Sequence, residues 1–221
     1  MLDLNLTRIL LTIPALIIAL TLHELSHGWV AYRLGDTTAK SQGRLSLNPL
    51  KHIDPLGALF LLIVGFGWAK PVPVNPYAFK NRDKGMALVA ISGPLSNLVM
   101  ALLGGIGLMI SYHFFQSAVY TGTSYTVHEY LTYFWMYFIQ INVVLMIFNL
   151  IPVPPLDGSR VVRAFLSTDG KIRYDRIEQF GMFIMMAMCL PIFGGYSIIG
   201  FILTKPVSAI SKFIYSLAGL M

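Results

Sequence analysis

Charge is scarce in this sequence. Asp, Glu, Lys and Arg make up 12% of its 221 residues, about half the share of a soluble domain, and the run from Ile9 to Leu22 contains none. With 56% hydrophobic residues and a mean hydropathy of +0.68, an ordinary water-soluble domain is excluded. Cysteine is nearly absent: Cys189 stands alone, which rules out an internal disulfide and says little about compartment. No basic leader and no small-residue cleavage site mark a signal peptide, so the first apolar run is expected to be retained. The length allows several membrane spans but no large extramembrane domain beside them. We therefore read residues 1–221 as a single integral-membrane domain.

The few cations are unevenly placed. Of 16 Lys and Arg, eight lie between Arg33 and Lys84 and five between Arg160 and Arg176, while the stretch from His113 to Tyr130 has none. The net charge of +6 thus reads as membrane orientation rather than nucleic-acid binding. By the positive-inside rule the first two regions are cytoplasmic and the third is outside. That assigns an inward span at about 6–33, an outward one at about 86–112, an inward one at about 131–151 and another outward from near Gln179. The 14 residues from Leu56 to Ala69 are too few to cross comfortably and are expected to be re-entrant or interfacial. After Pro191 the chain allows either a further short span or an interfacial helix. The fold expected is an all-α polytopic membrane protein of about 4–6 transmembrane helices, with a re-entrant or short β element at about 40–80.

Within the first span, residues 21–28 read Thr-Leu-His-Glu-Leu-Ser-His-Gly. On a helix His23 and His27 share a face, about 6 Å apart along the axis, so both imidazoles can reach one Zn²⁺ at about 2.0–2.1 Å. Glu24 can then face a zinc-activated water and take its proton as the water attacks a carbonyl. Such motifs also occur by chance in soluble helices. Inside a span the chance reading weakens, because ionisable groups at that depth are costly and usually functional.

Two imidazoles need a third protein ligand at the same level. The third span ends in Asn149-Leu150-Ile151-Pro152-Val153-Pro154-Pro155-Leu156-Asp157-Gly158, where three prolines and a glycine forbid a regular helix. Irregular backbone at membrane depth survives only when buried in protein or lining a wet cavity. Asp157 is the one carboxylate there and suits zinc, with the fourth position left for water. Spacing alone leaves a plain turn open as well, since Pro-Pro and Asp-Gly are turn signals.

His23-Glu24-Leu25-Ser26-His27, the Asn149-to-Gly158 stretch ending Leu-Asp-Gly, and Gly93-Pro94-Leu95-Ser96-Asn97 between them together resemble the site-2 protease family. These are polytopic zinc metalloproteases that cleave substrates within the membrane. The short form without a PDZ domain is the nearer match; the Gly43-to-Gly57 segment and Pro71-Val72-Pro73-Val74-Asn75-Pro76 look like that branch. The resemblance covers about residues 15–165. It implies that His23, His27 and Asp157 bind one zinc ion and that Glu24 is catalytic. It also places Asn97 near the active site, for substrate or oxyanion contact, although an interhelical hydrogen bond is an equal reading.

Asn149 could cap the broken helix or hold an extended substrate. His52 and Asp54 read as turn residues or as support behind the metal ligands, and His113 and His128 fall on the side away from the metal. The Met-rich stretch from Met182 to Met188 reads as packing or lipid-facing surface. The function expected is zinc-dependent endopeptidase activity on membrane proteins with a transmembrane segment, as in regulated intramembrane proteolysis. The setting expected is a lipid bilayer, the prokaryotic cell membrane, with the site towards the cytoplasm and no nucleic-acid partner. The rival is a transporter or metal-permeation protein using the same His/Asp cluster, but no internal repeat or polar transmembrane path supports it.

Overall fold

A computed structural model describes residues 6–64, 67–116, 123–191, 194–195 and 197–219. Nine helices are seen among them: α1 Leu6–Arg33, α2 Thr38–Ser41, α3 Pro55–Val64, α4 Arg82–Gln116, α5 Thr123–Leu150, α6 Asp157–Phe165, α7 Thr168–Glu178, α8 Gly181–Cys189 and α9 Ile198–Leu217. Four are long and apolar enough to cross a membrane: α1, α4, α5 and α9. No strand occurs among the described residues; the 40–80 region contributes one isolated antiparallel bridge, between Ile53 and Ala69.

The first three expected spans coincide with α1, α4 and α5, and the fourth does not stand where expected. The segment from near Gln179 forms α8, nine residues long, which at 1.5 Å per residue rises only about 14 Å against a hydrocarbon core of about 30 Å. Leu190 and Pro191 stop it. The fourth crossing helix is α9, 20 residues with Pro206 inside. Bilayer helices tolerate such a proline because neighbouring groups satisfy the freed carbonyl. α3, ten residues, also falls short of a span and presents Leu56, Leu59, Phe60 and Ile63 outward.

α4 is the central helix, packed against α1, α5, α6 and α9. Lipid is as apolar as leucine, so helices in a bilayer associate through close packing and hydrogen bonds rather than through water exclusion. α4 supplies the closeness with glycine: a Cβ at Gly105 would strike Ile214 of α9, and one at Gly107 would strike the Trp135 ring of α5. Ala101, Leu108, Ile139, Val143 and Ile214 form the buried centre of this contact. Hydrogen bonds from Trp135 to Ser111 (3.1 Å) and from Tyr215 to the Met136 carbonyl (3.2 Å) fix its register.

The connection from α1 to α4 is laced by side chain to backbone bonds. Asp36 accepts from the backbone N–H groups of Thr38 and Asn75. Arg44 donates to the carbonyls of Lys70 (2.7 Å) and Pro71 (3.1 Å), holding residues 70–72 against α1. His52 is buried and bonded to the Ser46 carbonyl, and Asp54 caps α3 through the N–H groups of Leu56 and Gly57. Both act as turn residues.

An ion network secures α6. Arg163 grips Asp175 of α7 with two hydrogen bonds (2.6 and 2.8 Å) and reaches Asp83 of α4 at 3.2 Å, while Lys171 bonds Asp83 at 2.6 Å. Arg163 holds the Asp175 carboxyl below its ordinary value, so the grip is complete at neutral pH and weakens as pH falls through the lowered value. Partly exposed pairs of this kind are worth about 1 kcal/mol. Arg163→Met should therefore free α7 locally, raising tryptic cleavage after Lys171 and Arg173 about fivefold while the melting of the transmembrane core stays put.

Candidate metal centre

His23 and His27 lie one turn apart on α1, and both are buried. Their Nε2 atoms stand 3.1 Å apart, and Asp157 Oδ2 lies 3.2 Å from each. The three atoms form a nearly equilateral triangle. Asp157 arrives as the first residue of α6, after a turn that includes a cis Pro154–Pro155 bond. Gly158 presses so close to the end of α5 that a Cβ there would meet the Leu150 and Ile151 carbonyls.

The other ring nitrogens decide what this triangle is. His27 Nδ1 lies 2.7 Å from the Val89 carbonyl, which can only accept, so Nδ1 carries the proton. His23 Nδ1 lies 2.6 Å from Asn97 Oδ1 and is a donor by the same reasoning. Both Nε2 atoms then present lone pairs to each other and to a carboxylate oxygen that has no hydrogen-bond donor. Three electron-rich atoms at such distances repel unless a cation lies among them. Ligand atoms about 2.0–2.1 Å from a tetrahedral zinc stand about 3.3–3.4 Å apart, close to the spacing found. Two imidazoles and one carboxylate also match the ligand set of a catalytic zinc with an open fourth position. The donor set fits the metal.

Glu24 follows His23 on the same turn and is only half-buried. Its Oε2 accepts the backbone N–H of Val72 at 3.0 Å, in the segment that Arg44 pins. This bond orients the carboxylate. Ser26 donates to the Leu22 carbonyl within its own helix.

α4 meets the histidines through Gly93. A Cβ there would lie 2.5 Å from His23 Cε1, His27 Cε1 and His27 Nε2. No other residue could occupy that position without displacing the imidazoles. Asn97, one turn further on, has no exposed surface, and its amide joins His23 to Asn142 Oδ1 (2.9 Å). Asn149 is half-buried and donates to the Leu145 carbonyl of its own helix. His113 lies some 30 Å along α4 from Gly93 by helical rise, well removed from the cluster.

Sequence reasoning passed over Asn142, Arg44 and the Val72 N–H. Asn142 carried a readable signal: a lone amide within the apolar run from Ile141 to Phe148, costly at that depth without a partner. The Val72 contact left none, because a backbone N–H has no residue identity.

Gly93→Ala should lower metal affinity about 10–100-fold, the range for disturbed support of metal ligands, with helical content unchanged by circular dichroism. Metal per chain after gel filtration measures it. Full retention would mean that the imidazoles do not depend on this approach.

The model of peptidase family M50 matches residues 11–192. The chain is 40% identical over 181 residues to the protein YwhC of Bacillus subtilis (strain 168), whose given name places it among zinc metalloproteases; the match covers 82% of this chain and 80% of that one. It is 28% identical over 188 residues to Rip2 of Mycolicibacterium smegmatis, also named for that class, covering 82% of this chain and 67% of the relative. No solved structure matches it significantly. The extent of the family match and the identity to YwhC show that the chain belongs to peptidase family M50, the site-2 protease family, and is a zinc metalloprotease.

Proposed function

We propose that His23, His27 and Asp157 hold the catalytic zinc, that Glu24 is the general base, and that the enzyme cleaves peptide bonds in or beside transmembrane segments of other membrane proteins. The convergence of two Nε2 atoms and one carboxylate oxygen within 3.2 Å, beside a carboxylate that ligates nothing, carries this reading. Zinc held there supplies a Lewis acid that polarises a carbonyl and brings a water's pKa towards about 7. Glu24 accepts the proton of the attacking water and returns it to the departing amine nitrogen. The Val72 N–H takes one lone pair of Oε2, which leaves Oε1 the freer oxygen to carry the proton. The Nδ1 hydrogen bonds of His23 and His27 keep both imidazoles aimed while charge shifts at the site.

A transmembrane helix hides its carbonyls in its own hydrogen bonds, so the substrate must unwind before attack. Asn97 is buried and bonded on both sides, which favours a positioning role over direct contact with substrate. The basic clusters at Arg33–Lys84 and Arg160–Arg176 support a cytoplasmic location for the Arg33 end of α1 and for α6 and α7, and hence a site supplied with water from the cytoplasm. The helix directions agree with that assignment: α1 and α5 run the same way, and both finish beside the metal ligands.

Glu24→Gln should retain about one zinc per chain while cleavage of a transmembrane reporter falls about 10²–10⁴-fold. Asp157→Ala should lose zinc and activity together, whereas His52→Ala, removed from the triangle, should keep its zinc. Zinc loss in His52→Ala with full occupancy in Asp157→Ala would reverse the ligand assignment.

Orientation is tested separately. In a Cys189→Ser background, single cysteines at Ser41 and Ser167 should react with a membrane-impermeant maleimide only from the cytoplasmic face. Reaction of either from the outer face would contradict the topology.

A further inference from the structure

We propose that Asn142 is a positioning residue of the metal centre: acting through Asn97, it dictates which nitrogen of His23 faces the metal. The proposal rests on the reading of His23 as a zinc ligand, and the controls below separate the two.

The observation is a three-helix chain of hydrogen bonds with only one consistent direction. It starts at the Phe138 carbonyl of α5, which can only accept. Asn142 faces that carbonyl at 2.8 Å and must present Nδ2 to it, which turns Oδ1 towards α4. Oδ1 in turn can only accept, so Asn97 presents Nδ2 to it at 2.9 Å. Asn97 Oδ1 is then aimed at α1 and meets His23 Nδ1 at 2.6 Å. That oxygen also only accepts, which places the imidazole proton on Nδ1 and the lone pair on Nε2. Both amides have 0% exposure, so solvent does not compete for the bonds of the intact chain.

His27 receives the same instruction in one step, from the Val89 carbonyl. For His23 no backbone carbonyl takes that part, and two amides carry the polarity of a distant one across the bundle. Amides suit the task better than a carboxylate would, because they fix direction without placing a charge in the membrane interior. Without Asn142, nothing sets the orientation of Asn97. A reversed Asn97 would offer N–H to His23 Nδ1, move the imidazole proton to Nε2 and aim it at the metal position. A buried amide left without its partner is costly, which makes that reversal accessible.

The test measures zinc affinity by chelator competition in detergent-purified full-length protein, with the melting temperature of the metal-free form recorded beside it. Asn142→Leu keeps the volume and removes the acceptor; affinity should fall about 10–100-fold, with metal-free melting close to wild type. Asn142→Asp, as the neutral acid, donates its O–H to the Phe138 carbonyl and still accepts from Asn97 Nδ2, so it should stay within a few fold of wild type. Should Asn142→Leu fail to fold, Asn142→Ala takes its place under the same criterion. Wild-type affinity in the Leu or Ala variant overturns the proposal. So does equal weakening in Asn142→Asp together with lowered melting, which would reduce Asn142 to a packing contact. The control is His23→Ala: zinc lost there but retained in Asn142→Leu defeats this proposal alone, whereas zinc retained in His23→Ala defeats the ligand assignment beneath it.

Discussion

Three lone-pair atoms forced within 3.2 Å of one another are the constraint to which the rest of the molecule answers. Such a cluster is repulsive without a cation, and the burial of both imidazoles leaves the repulsion poorly screened. The fold must therefore hold the donors in place independently of the metal. α1 contributes two of them through simple helical periodicity. The third comes from the start of α6, more than 120 residues later, and most of the architecture serves to bring it there.

α4 is the platform for that meeting. Over about two turns it presents the Val89 carbonyl to His27, a glycine face to both imidazoles and Asn97 to His23. At its beginning Asp83 joins the ion network that holds α6, and so Asp157, in place. Further along, glycines admit α5 and α9. Glu24 is supported from elsewhere, by the backbone of the Arg44-pinned segment between α1 and α4. The His/His/Asp triangle and Glu24 are thus braced by different parts of the chain.

Much of this was legible in the sequence because it rests on local periodicity. His23 and His27 share a face by helical spacing, and the apolar runs of α1, α4 and α5 are long enough to register as spans. The boundaries were harder. α5 begins at Thr123 rather than near residue 131 because its polar first turns are still compatible with a helix; hydropathy marks a membrane edge, not a helix end. α8 is rich in methionine yet too short to be the span expected from near Gln179; the span that the sequence allows after Pro191 is α9, whose apolar pattern Lys205, Pro206 and Lys212 break up. What no local pattern could give is the pairing of Asn97 with Asn142 or of Glu24 with the Val72 N–H. These are tertiary contacts between residues 45 and 48 positions apart.

The central claim is that one zinc is shared by two imidazoles from α1 and one carboxylate from α6. X-ray absorption at the zinc edge of the purified protein tests it most directly. The account predicts one zinc per chain in a four-coordinate shell of nitrogen and oxygen at about 2.0–2.1 Å, with outer-shell scattering from two imidazole rings. Sulfur in the first shell, or imidazole scattering absent or limited to one ring, would contradict it.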